Sequence, residues 1–132
     1  MKALITIFAL FLSATSFAQN HDGHNGTHTP NVCVENTKLC AHLMFPKIPN
    51  SSDESQFILH FVNDAAISNV KVVLWMPDMG HGSAPVVIKT IDNNHYQVSN
   101  AYFIMPGQWE VQVQFSVNEQ IQIIKIPVQI LN

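Results

Sequence analysis

Met76, Met79 and His81 stand within six residues of one another in the stretch WMPDMGHGS, among Pro77, Gly80 and Gly82. Proline and glycine at these positions mark a turn rather than the interior of a strand or helix. A second Met-Pro turn, FIMPGQW, carries Met105 and again lies beside a tryptophan. Thioether sulfur is a soft, neutral donor, and together with imidazole it suits Cu(I). Outside the cytosol a thiolate ligand risks oxidation to a disulfide, a fate that methionine resists far better. If the two turns meet at one end of the fold, Met76, Met79, His81 and Met105 form one copper-binding set.

Each of these residues also has a packing role open to it. Met76 continues the apolar face of the strand VKVVLWM, and Met105 precedes a proline at a strand end, so burial and ligation account equally for both. Met79, between Asp78 and Gly80, has no periodic reason to be buried, and His81 lies between two glycines. Ligation is the stronger reading for that pair. Asp78 closes the Pro-Asp turn. Trp75 packs, with a ring able to shield a metal from water. His60, inside FILHF, reads as a core histidine, and His95, after DNN, as an exposed one. His42 and Met44 alternate on one face of CAHLM and make a candidate second pair.

The start of the chain says where the protein works. An apolar run, ALITIFALFL, follows Met1 and Lys2, and SFAQ puts Ser16 and Ala18 at the positions read by a signal peptidase. A secretory leader over residues 1–18 is expected, too short for a stable membrane anchor. The mature protein is then periplasmic or secreted and has 114 residues (132 less 18), enough for one domain. Residues 19–31, QNHDGHNGTHTPN, lack apolar periodicity and read as a flexible His-rich tail. Cleavage after Ala18 makes His21 the third residue, where the amine, two amides and the imidazole form a square-planar site for Cu(II) or Ni(II). His24 and His28 can assist. Cyclisation of Gln19 would remove the amine and with it the site.

Cys33 and Cys40 flank a turn, CVENTKLC, and in an oxidising compartment an intrachain disulfide is the default. Closing so small a loop stabilises by roughly 2.5 kcal/mol in the chain-entropy model. A dithiolate metal site is the alternative, and the compartment argues against it.

The elements that must carry these residues are strands. QWEVQVQFSV alternates Trp109, Val111, Val113, Phe115 and Val117 with polar residues, one face buried and one solvated. NEQ turns the chain into IQIIKIPVQI, where the apolar phase slips at Ile123-Ile124, predicting a β-bulge or a change of sheet, and Pro127 predicts an edge. VKVVLWM is a further strand. QFILHFVN, apolar on both faces, is central. VVIKTI and HYQVSN flank a DNN hairpin, and CAHLMF lies near the cysteines. About seven strands at spacings of roughly ten residues predict an all-β, Ig-like antiparallel sandwich over residues 32–132.

VVLWMPDMGHGSAPVVI followed by YQVSNAYFIMPGQWEVQVQF resembles the YtkA-like and FixH-like family of small extracytoplasmic domains. The likeness rests on the Met-Pro-x-Met-Gly-His and Phe-x-Met-Pro-Gly-x-Trp segments. It falls on Met76, Pro77, Met79, Gly80, His81, Gly82, Met105, Pro106, Gly107 and Trp109, within about residues 55–118. The resemblance implies an Ig-like sandwich and a part in copper delivery or respiratory-oxidase assembly. Unlike FixH-like members, this chain shows no transmembrane anchor, and its cysteine-bearing extension lies outside the resemblance.

Three functions compete. The leading one is a copper-binding protein that sequesters Cu(I) or exchanges it with a copper-donating or copper-accepting protein. The second is a non-catalytic interaction module in which the Met-Pro loops are packing elements. The third, an enzyme, finds no nucleophile elbow, no glutamate flanked by paired histidines and no suitable carboxylate pair. Nucleic acid is a poor partner, because the chain has no arginine and a formal net charge of −3.

Overall fold

The computed structural model describes residues 26–132, and all of its regular elements there are strands. In chain order they are β1 (Thr27–His28), β2 (Val32–Cys33), β3 (Cys40–Phe45), β4 (Ser55–Phe61) and β5 (Ile67–Met76). Then follow β6 (His81–Gly82), β7 (Val87–Thr90), β8 (His95–Ala101), β9 (Gly107–Val117) and β10 (Gln120–Ile130). β1, β2 and β6 are two-residue pieces; the other seven are those expected from the apolar alternation. They form two antiparallel sheets, one ordered β1-β3-β4-β8-β7 with β2 also on β3, the other β10-β9-β5-β6. No helix among the described residues is long and apolar enough to cross a membrane.

The core lies between the sheets. Alternate residues of β9, from Trp109 to Phe115, are fully buried, and Leu43, Phe45, Phe57, Leu59 and Phe61 meet them from the facing sheet. β4 is central, between β3 and β8, which accounts for its two-sided apolar character. β10 is an edge strand, so the missing N–H of Pro127 breaks no central ladder.

Three expectations need correction. β10 pairs with β9 without interruption from Gln120 to Ile130, so the predicted bulge or sheet change at Ile123-Ile124 does not occur. Ile124, Ile126, Val128 and Ile130 face inward, whereas Ile121 and Ile123 occupy the outer face and are exposed. The slip in the pattern thus records apolar residues placed outside, with the backbone phase unchanged. The irregularities lie instead in the β4–β8 pairing, where β8 carries the extra residue between Val98 and Ala101, and in β5, between Ser68 and Lys71. Within the latter, Asn69 takes a positive φ of 52°, as the extra residue of a bulge can.

The second correction concerns the tail and the domain boundary. Thr27 and His28 pair with Phe45 and Met44, and Thr29 exchanges hydrogen bonds with the backbone of Leu43 through its amide and its hydroxyl. The sandwich therefore begins before residue 32, because threonines can pair with an open strand edge whether or not their segment is apolar. Residues 1–25, which include the expected leader, His21 and His24, lie outside the described residues. The third is small: His60 is half-buried on the outer face of β4 and is not a core residue.

Cys33 and Cys40 face each other as the closing pair of the β2–β3 hairpin and are joined by a disulfide, leaving no free cysteine. The dithiolate alternative is thereby removed, and any sulfur ligand in this protein must be a thioether.

Candidate metal centre

β5 and β6 are joined by the four residues Pro77–Gly80. The amides of Met79 and Gly80 both donate to the Met76 carbonyl, at 3.2 and 2.9 Å. Pro77 presets the first corner of the turn, and Gly80 supplies the positive φ of 64° that lets the chain return. The return sets Met76 directly opposite His81 in the ladder. Residues opposite each other share a face, so both point toward the interior at the rim of the sandwich. Met76 is buried, His81 is half-buried, and Met79 at the tip of the turn is 57% exposed.

The second Met-Pro segment reaches the same rim by crossing from one sheet to the other. Ala101 ends β8, Phe103 is buried, and Gly107 begins β9. A Cβ at Gly107 would lie 2.7 Å from the terminal methyl of Met76, and Gly107 has φ 130°, outside the range of ordinary side-chain-bearing residues. Gly107 thus lets the thioether of one loop lie against the backbone of the other.

Trp109 holds the arrangement together. Its indole Nε1–H donates to the Met105 carbonyl at 2.9 Å, and its ring meets His81 edge-on with centroids 6.1 Å apart. Phe103 packs on it at 5.5 Å, also edge-to-face. The His81 ring and the backbone carbonyl of Met105 thus both meet the Trp109 indole, while the Met76 methyl lies against Gly107, so the two loops share one rim. Met79 remains outside, on the exposed tip. Trp75 does not shield this cluster, because it lies in the outward phase of β5 and its ring covers Gly82. The indole beside His81 is instead Trp109, for which the Met-Pro-Gly-x-Trp spacing is the available signal.

His81 Nδ1 lies 3.3 Å from the Gly82 carbonyl, and the tautomer that donates a proton there leaves Nε2 with its lone pair. A cleft of about 480 Å³ lined by Asp64–Ile67, Asn93 and Asn94 lies at the opposite end of β5 and includes none of the four donors. A single ion held by side chains requires no such cleft.

The YtkA-like family matches residues 34–114, which include both Met-Pro segments, the His81 turn and Trp109. The chain belongs to the YtkA-like family. No curated protein and no solved structure matches it. The match stops inside β9 and leaves β1, β10 and Cys33 outside.

A second cluster was only partly legible. His28 pairs with Met44, His42 with His60, and His60 with His95. The imidazoles form a row across the outer face of the larger sheet, with centroids 5.9, 4.9 and 4.2 Å apart in the order His28, His42, His60, His95. The residues alone mark His28 as a tail donor and His42 with Met44 as a separate pair, and carry no sign that His60 or His95 lies beside them. Strand pairing alone makes them neighbours. Asp92 ends the row, its carboxylate accepting from His95 Nδ1–H at 2.8 Å.

Burial, then the neighbouring imidazoles, holds His42 and His60 below the ordinary histidine value. Their folded-state pKa values lie below the unfolded ones, so over the interval between them the unfolded chain binds more protons. Stability is therefore full above about pH 6.5 and declines as the pH falls through the folded values. The groups facing this pair are His28, His95 and Asp92, with Lys89 one register position away, opposite Gln97. Thermal melts between about pH 7.5 and 5 should show Tm falling on acidification, and His60→Asn should flatten that fall. An unchanged slope in the variant would contradict the assignment.

Proposed function

We propose that this YtkA-like protein is an extracytoplasmic copper-binding protein that sequesters or hands over Cu(I) through its Met/His rim. The observation supporting the reading most is that two separate loops meet, with Met76 opposite His81 and against Gly107, and with His81 and the Met105 carbonyl both at Trp109. Two thioethers and one imidazole form a soft, neutral donor set suited to Cu(I). Met79, exposed on the turn, is placed to take up or release the ion as it enters or leaves. Transfer then proceeds by ligand exchange at a rim that needs no catalytic base. The disulfide fits an oxidising, periplasmic or secreted setting, and the copper donor or acceptor is a second protein that reaches this rim.

The packing reading has its own observations: Met76 is buried with its methyl against Gly107, and Met105 packs against the core. A titration with Cu(I) against a competing chelator separates the two. The copper reading expects one Cu(I) per chain with an affinity that survives the chelator. The packing reading expects none retained.

A further inference from the structure

We propose that His42, His60 and His95, with His28 at the end of the row, form a second metal site for a divalent cation of borderline softness, Cu(II) most tightly. It lies away from the rim already described. β8 begins at His95 and ends at Ala101, just before the Met105 segment, a run of roughly 20 Å at about 3.3 Å per residue. The row also lies on the outer face of the other sheet, so neither site depends on the other's ligands.

Three observations carry the inference. The first is composition: four of the seven histidines are brought side by side by strand pairing on an accessible face. Imidazole is the donor that divalent copper, nickel and zinc share, and copper leads that order. Two ligating nitrogens at about 2.0–2.1 Å from one ion lie a few ångströms apart, a spacing compatible with neighbouring rings at 4.2 and 4.9 Å. The second is the bond from His95 Nδ1–H to Asp92, which fixes the tautomer and leaves Nε2 free with its lone pair. Metal-ligating histidines recurrently carry such a carboxylate on the opposite nitrogen. The third is His42 Nδ1, a buried nitrogen with no hydrogen-bond partner. An unpartnered buried nitrogen is costly, and a bound cation would satisfy it.

His60 and His95 stack and His42 meets His60 edge-on, and among the described residues no three His, Cys, Asp or Glu side chains already surround one point. Loading therefore requires His60 to turn about its side-chain torsions while Asp92 holds His95 in place, a motion of picoseconds to nanoseconds for accessible residues. Burial, with the neighbouring imidazoles, disfavours the imidazolium forms of His42 and His60 and so favours the neutral rings that ligate.

The test uses the full mature chain. Cu(II) affinity is measured in air by competition titration for the native protein, for His42→Asn/His60→Asn, for His21→Asn/His24→Asn, which removes tail donors, and for the chain carrying both changes. The proposal expects the His42→Asn/His60→Asn change, made in the His21→Asn/His24→Asn chain so that the tail does not mask it, to weaken Cu(II) binding at least about tenfold relative to that chain. It is overturned if the chain lacking both row and tail histidines binds as tightly as the chain lacking the tail histidines alone. Should the row variant fold poorly, Zn(II) added to the native protein decides. Ring resonances of His42, His60 and His95 must shift together at one equivalent, and shifts confined to other histidines refute the site. Cu(I) binding at the rim is expected to be unchanged in the row variant, which keeps the two proposals separately testable.

Discussion

Replacing Trp109 with alanine is expected to destabilise the fold by about 3–5 kcal/mol. The side chain is fully buried, so its removal strips apolar contacts and leaves a cavity bordered by Phe103 and His81. It also removes the N–H that donates to the Met105 carbonyl. Domains of this size have a total stability of about 5–15 kcal/mol, so the variant sits near the threshold of folding. Trp109→Phe separates the two contributions. It keeps most of the apolar volume while removing the donor, and the expected cost is about 1–3 kcal/mol. Denaturant unfolding of both variants checks the pair; a loss below about 1 kcal/mol for the alanine variant would show that the indole does not organise the rim.

The second large effect concerns copper. Met105→Leu and Met76→Leu keep the apolar volume while removing sulfur, and such swaps cost under about 1.5 kcal/mol in stability. If the rim holds Cu(I), each leucine variant should bind it about tenfold more weakly while melting close to the native protein. His81→Ala combined with Met105→Leu should lose at least about 100-fold, corresponding to about 2.8 kcal/mol. Met79→Leu should weaken affinity less, because Met79 stands outside the cluster, and should slow exchange with an acceptor protein. The packing reading expects the reverse: leucine variants indistinguishable toward copper, with any effect confined to melting temperature. Volume-matched substitution is what makes this decisive, since truncation to alanine would confound ligation with core packing at Met76.

The sandwich was readable because a strand buried on one face writes its alternation directly into the chain, as Trp109 to Val117 does. The disulfide was readable for a related reason: a short turn between two cysteines leaves them few partners but each other. What escaped were effects of pairing. Ile123 and Ile121 look like a phase error in one strand, yet they lie on the outer face of an edge strand whose register never breaks. Thr27 and His28 carry no apolar signal, but an open edge of β3 accepts any backbone. At the rim, the two Met-Pro turns were legible as chemistry, and their meeting was a supposition. Composition could not tell that Trp109 rather than Trp75 stands beside His81, because that depends on which way β5 is phased. Nor could it find the imidazole row, whose members are 18 and 35 positions apart along the chain (42 to 60, 60 to 95) and become neighbours only through β3–β4 and β4–β8 pairing.

The most direct test of the copper reading is X-ray absorption at the copper edge on the native chain loaded with one equivalent of Cu(I). Both cysteines are held in a disulfide, so thioether is the sulfur donor available to a bound ion. The account predicts a copper shell containing methionine sulfur together with one imidazole, with the sulfur contribution reduced in Met105→Leu. A shell of nitrogen and oxygen alone, unchanged by that substitution, would contradict it.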